Sequence, residues 1–127
     1  PATLIHPSVI QAKFISIGEG TTIAAGCILG PYVQIGRHCL ISAHVSIGHN
    51  ACVGDFSVIY PGARVNGNVI VEDQVFIGSN ASVQPKCRIG SGATLGANTF
   101  LSSDLAPGRK AIGGTRTRVS HPNGPTA

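Results

Sequence analysis

Three of the five histidines, His38, His44 and His49, sit close together near the middle of the chain. Imidazole titrates near neutral pH, so each is a candidate general base or metal ligand. Four cysteines, Cys27, Cys39, Cys52 and Cys87, could be nucleophiles, zinc ligands or small core residues. Four cations, Arg109, Lys110, Arg116 and Arg118, fall within ten residues near the end of the chain. Cations clustered in one short segment focus anions, and the phosphates of a bound cofactor would suit them. Which of these groups can meet depends on the elements that carry them.

Those elements are set by a period of six. Every sixth residue from Ile17 through Ile23 and Leu29 to Leu95 and Leu101 is Ile, Leu or Val, fifteen positions without a break. Such a run has a chance probability on the order of 10⁻⁹. The period fits neither an α-helix at 3.6 nor a simple strand at 2. It fits a chain that turns a corner every six residues and stacks its flat sides into a prism. Four places after each aliphatic residue stands a small or β-branched one, such as Thr21, Cys27, Val33, Val45, Ala51 or Ser57. One large and one small inward residue per hexad suit a narrow triangular interior. The residue directly after the aliphatic one is often Gly, as at Gly18, Gly30, Gly48 and Gly78, where a Cβ would crowd the bend. Three hexads give one coil of 18 residues, so residues 5 to 101 predict between five and six coils. Successive coils then lie about 4.8 Å apart.

Ile5 keeps the phase but Gln11 occupies an aliphatic position, which predicts a loosely packed first coil. After Leu101 the pattern stops at Ser102, Ser103 and Asp104, and Pro107-Gly108 signals a turn. The expected organisation is an all-β helical domain over 1–101, a basic segment over 102–119 and a disordered tail over 120–127.

At 127 residues the chain predicts one domain, and its 11% charged residues point to a surface covered by copies of itself. No run approaches the roughly 20 apolar residues of a membrane span, and no signal-peptide pattern is present. Two Tyr and no Trp, with no recognised binding motif, argue against nucleic acid. Cys27, Cys39 and Cys87 occupy the small inward position and read as core residues of a reducing, cytoplasmic protein. Cys52 faces outward with no base fixed beside it. The period puts His38 and His44 at equivalent corners on successive sides, and His49 at a corner outside the core. A trimeric zinc site of the γ-carbonic anhydrase type could use the spacing of His44 and His49. Its third ligand should stand about two coils upstream, where Ser8 and Lys13 are found.

The hexads resemble the hexapeptide-repeat acyltransferase family, and the resemblance implies a left-handed parallel β-helix. Within it, the stretch from Ile47-Gly48-His49-Asn50 to Gly54-Asp55, then Tyr60-Pro61-Gly62 and Gly67-Asn68-Val69, resembles the sialic acid and bacillosamine sugar acetyltransferases. Ile77-Gly78-Ser79-Asn80 and Ala106-Pro107-Gly108 continue the likeness, which runs over nearly the whole chain. It implies acetyl transfer from acetyl-CoA to an amine or hydroxyl of a nucleotide-linked sugar, in a homotrimer with its sites between neighbouring prisms and no metal. It makes His49 the general base and the Gly67 backbone N–H the donor to the thioester oxygen. Eighteen residues separate the two, so the period independently places them at one corner on adjacent rungs. Ser79 and Ala97 match positions that contact the CoA arm, and the cations Arg109, Lys110, Arg116 and Arg118 are expected on its phosphates. Two residues depart from the family: Asn50 stands where a carboxylate usually follows the base, and Val58 where a further His is common. A carboxylate raises the basicity of its His, whereas an amide orients it. The opening PATLIHPS resembles the place where the β-helix follows a nucleotide-binding domain in two-domain relatives. The alternatives are another hexapeptide acyltransferase with a non-sugar acceptor and a non-catalytic β-helix.

Overall fold

The structure is a computed structural model that describes residues 1–113 and the backbone of Arg118–Ser120. Short parallel strands, mostly two residues long, recur every hexad and build three sheets. The first sheet stacks Leu4–Ile5, Thr22–Ile23, Leu40–Ile41, Val58–Ile59, Phe76–Ile77 and Thr94–Leu95. The second stacks Ile10–Gln11, Ile28–Leu29, Ser46–Ile47, Arg64–Val65, Ser82–Val83 and Phe100–Leu101. The third stacks Ser16–Ile17, Gln34–Ile35, Cys52–Val53, Ile70–Val71 and Arg88–Ile89. Each residue pairs with the one eighteen places on, as in Leu4 with Thr22 and Arg64 with Ser82. The chain is thus the expected parallel β-helix, of about six coils.

The hexad predicts the core residue by residue. The aliphatic positions from Ile23 to Leu101 are buried, and so are the small ones from Thr21 to Thr99. Thr21 and Ser57 satisfy their buried hydroxyls by donating to the Gly36 and Glu72 carbonyls at 2.7 and 2.9 Å. Ile17 is half-buried, and Leu4, Ile10 and Gln11 are exposed, so the first coil is the loose one.

The corner has two steps. A Cβ built on Gly48 would lie 2.7 Å from Gly67 N, so the glycine after the aliphatic residue serves close approach of coils. The left-handed conformation falls two places later, at Gly20 and Gly62 but also at Phe14, Tyr32, Asn50, Asn68 and Asn98.

The coil does not end where the pattern does. Leu105 bridges Ile89 in parallel, and Lys110–Ile112 adds to the first sheet with Ala111 opposite Leu95. Both pairs are sixteen residues apart, so the last coil is two residues short and the hexad phase is lost while the path continues. Leu105 and Ala111 are buried in place of the aliphatic residues. Arg118–Ser120 then pairs antiparallel with Lys110–Ile112. The basic segment therefore begins inside the helix, and the expected tail beyond Ser120 lies outside the described residues.

Candidate active site at one edge of the prism

The edge between the second and third sheets carries Lys13, Pro31, His49, Gly67 and Pro85 at one hexad position. At the next it carries Phe14, Tyr32, Asn50, Asn68 and Lys86. Main-chain bonds fix the rungs. Asn50 N–H donates to the Pro31 carbonyl at 2.9 Å, Asn68 N–H to that of His49 at 2.9 Å, and Lys86 N–H to that of Gly67 at 3.1 Å.

His49 lies over the backbone of Gly67. A Cβ on Gly67 would stand 2.5 Å from His49 Nε2 and 2.9 Å from Cδ2 and Cε1, so only glycine fits beneath the imidazole. The Gly67 N–H has no hydrogen-bond partner among the described residues. On its other side, His49 Nδ1 is 3.2 Å from Asn50 Oδ1. An amide oxygen only accepts, so in the neutral ring this contact calls for the tautomer with its proton on Nδ1 and its lone pair on Nε2. His49 and Asn50 are exposed and Gly67 is buried. An imidazole nitrogen beside an N–H unpartnered among the described residues can take a proton while that N–H holds a developing oxyanion.

The other expected site residues occupy other edges. Ser79 and Ala97 lie between the first and second sheets, on adjacent rungs joined by Asn98 N–H to the Ser79 carbonyl at 2.8 Å. Arg109 and Lys110 lie where the last coil passes from the third sheet to the first. Lys110 is exposed, and Arg109 has a buried Nη1 without a partner among the described residues. The Arg118 backbone pairs with Ile112, and Arg116 lies outside the described residues. One chain therefore gathers His49, Asn50 and Gly67, and leaves Ser79, Ala97, Arg109 and Lys110 elsewhere.

The remaining histidines separate too. His44 shares the edge of Ser79, and His38 lies on the third edge stacked on Phe56, ring centroids 5.2 Å apart. His44 and His49, close in sequence, thus belong to different edges. No group of His, Cys, Asp or Glu among the described residues could hold a metal ion. Cys27, Cys39 and Cys87 are free and buried, and burial pushes their thiols up. Cys52 is half-buried on the third sheet, and Val58 is half-buried on the first, away from the His49 edge.

Sequence reasoning missed Phe14 and Tyr32, directly below Asn50 on the same edge. Their rings stack with centroids 5.0 Å apart and 16° between planes. The signal was present: two aromatics one coil apart at a corner position.

A coiled prism with an imidazole over a glycine backbone defines a class, and comparison with known families supplies it. The chain belongs to the bacterial transferase hexapeptide (six repeats) family, matched over 14–49 and 68–103. Among solved structures it is similar to the acetyltransferase domain of PglB from Neisseria gonorrhoeae FA1090. That match has 25% identity, a TM-score of 0.86 and coverage of 87% of this chain and 54% of that one. The same domain has been solved with acetyl coenzyme A. PerB from Caulobacter crescentus, solved with CoA and GDP-perosamine, matches at 27% identity and a TM-score of 0.91, covering 94% of this chain and 57% of that one. AntD from Bacillus cereus, an N-acyltransferase, shares the fold at 24% identity and a TM-score of 0.86, over 92% of this chain and 78% of that one. No curated protein sequence matches this chain. The chain thus spans a little over half the length of the PglB and PerB chains.

Proposed function

We propose that this chain carries the acetyl-transfer site of an acetyl-CoA-dependent sugar acetyltransferase. The observation that carries the reading is the His49 imidazole lying over Gly67, whose N–H is unpartnered among the described residues. The acceptor amine or hydroxyl attacks the thioester carbonyl, and His49 Nε2 takes its proton as the new C–N or C–O bond forms. The Gly67 N–H holds the oxyanion. The intermediate collapses with C–S cleavage, and the proton on His49 passes to the departing thiolate, which leaves as the thiol. Asn50 is the positioning residue that fixes the tautomer. The relatives solved with acetyl-CoA, and with CoA and a nucleotide-linked amino sugar, support both the donor and the acceptor class.

The scatter of Ser79, Ala97, Arg109 and Lys110 over other edges supports a site completed by a neighbouring copy. Exposed Ile10, Ile28 and Phe100 on the second sheet and Leu40 on the first support a homotrimer. In this reading the cations of one copy hold CoA phosphates. Free buried thiols fit a cytoplasmic enzyme.

The test follows thiol release from acetyl-CoA with a panel of nucleotide-linked amino sugars, free sugars and amino acids. Release coupled to sugar acetylation is the expected result. Release with amino acids alone would move the acceptor class, and no release with any acceptor would remove the reading. Light scattering should return a trimer at micromolar concentration, and a monomer would remove the shared site.

A further inference from the structure

We propose that Phe14 and Tyr32 form a platform for the pyranose ring of the acceptor, seated beside His49; this rests on the transfer reading above. Both rings are unusually bare, Phe14 at 69% and Tyr32 at 53% exposure, so neither is held in place by the core. They stack along the edge, with Phe14 one rung below Tyr32. Phe14 therefore covers one face of Tyr32, and the other face is turned toward the rung of His49 and Asn50.

Both aromatics also occupy an unfavourable backbone state, with φ of 65° and 63°. Bulky residues rarely adopt it, and Asn tolerates it better. The next two rungs of the same edge have Asn50 and Asn68 at that position. The same state recurs at Phe56, Gln74 and Lys86 and belongs to the corner itself; what marks Phe14 and Tyr32 is that two stacked rings stand exposed just below the base.

The direction of approach follows from Gly67. Its N–H lies on the rung above His49 and Nε2 is the imidazole atom nearest to that glycine, so the thioester carbonyl belongs on that upper rung. Tyr32 lies on the opposite side of His49, where the body of a sugar whose amine reaches up to Nε2 would rest. A sugar presenting its amine to Nε2 rests its apolar C–H face on the exposed outer part of the phenol, beyond the Asn50 side chain. Aromatic side chains supply such apolar contact area with a polar tip, here the Tyr32 hydroxyl. Stacking alone does not make a site: His38 and Phe56 also stack, on an edge where Asp55 already takes the Arg37 N–H at 2.8 Å. What distinguishes Phe14 and Tyr32 is the base and the free N–H above them.

The test measures transfer from acetyl-CoA to GDP-perosamine and to dTDP-4-amino-4,6-dideoxyglucose by wild type, Tyr32→Asn, Phe14→Asn and Tyr32→Phe. Asparagine suits the corner, so these variants should fold with an unchanged or higher Tm. Tyr32→Asn should raise the sugar KM about tenfold, in the range of one stacked ring, with the acetyl-CoA KM unchanged. Phe14→Asn should do less, and Tyr32→Phe should restore most of the affinity. Sugar ring protons should shift upfield in the NMR spectrum on binding to wild type, and not on binding to Tyr32→Asn. An unchanged sugar KM in Tyr32→Asn, or an equal rise for acetyl-CoA, would overturn the platform while leaving the transfer reading in place. A wild type that acetylates neither sugar, nor any other, would overturn both.

Discussion

Two edges of this prism have the same backbone and opposite chemistry. On the edge between the third and first sheets, the position two after the aliphatic residue reads Glu19, Arg37, Asp55, Asp73 and Ser91. There the side chains are spent on the backbone. Asp55 accepts the Arg37 N–H and Asp73 the Asp55 N–H, each at 2.8 Å, and the Arg37 guanidinium pairs with Asp55 at 3.1 Å. On the edge between the second and third sheets the same position reads Lys13, Pro31, His49, Gly67 and Pro85. No carboxylate caps the Gly67 N–H, and an imidazole lies over it instead. Where the corner residue is not proline, the coil geometry leaves its N–H outside the ladder; what stands one rung away decides how that N–H is used.

The largest effect should come from removing the imidazole. His49→Ala should slow transfer by about 10²–10⁴-fold with acetyl-CoA affinity little changed, while Asp55→Ala should leave transfer intact and lower Tm. Equal activity loss in the two variants would erase the distinction between the edges. Next, Gly67→Ala places a Cβ 2.5 Å from Nε2 and should cost about 10²–10³-fold in kcat by displacing base and N–H together. A fully active Gly67→Ala would show that His49 works in another rotamer.

Smaller effects sharpen the picture. If Arg109 and Lys110 hold phosphates, acetyl-CoA should bind more tightly than a shortened thioester without the nucleotide, and high salt should narrow the gap; calorimetry showing equal affinities would refute that assignment. Asn50→Asp would set a negative charge beside Nδ1 and move the rising limb of the kcat/KM profile up by about one pH unit. A limb that stays put would separate residue 50 from the base.

The smallest effect concerns the scaffold edge in acid. The Arg37 N–H and then its guanidinium hold the Asp55 carboxyl below its usual range, and the Arg88 guanidinium and Ser91 N–H do the same for Glu72. Values lower folded than unfolded give stability that is full above the unfolded values and lost as pH falls through the folded ones. Tm should therefore fall below about pH 4, and Asp55→Asn should flatten that part of the curve. An unchanged curve would mean these bonds are not maintained in solution.

Much of this was legible in the sequence because the interior is narrow. Only Ile, Leu or Val fits one inward position and only a small residue the other, so Ile23 to Leu101 report their own burial. The pairing of His49 with Gly67 followed from one full coil of separation. Three things were not legible. The period is silent on the two-residue shortening between Ile89 and Leu105, since the loss of phase looks like an end. Corner conformation hides at Phe14 and Tyr32, because propensity favours Gly or Asn where φ is positive and exposed aromatics override it here. Spacing also does not tie one edge to another, so Ser79, Ala97 and Arg109 read as one site with His49 although this chain holds them on other edges.

A crystal structure with acetyl-CoA tests the central claim most directly. The account predicts the thioester carbonyl oxygen within about 3.2 Å of the Gly67 nitrogen, next to His49 Nε2. A thioester lodged on another edge, with the Gly67 N–H still unpartnered, would contradict it.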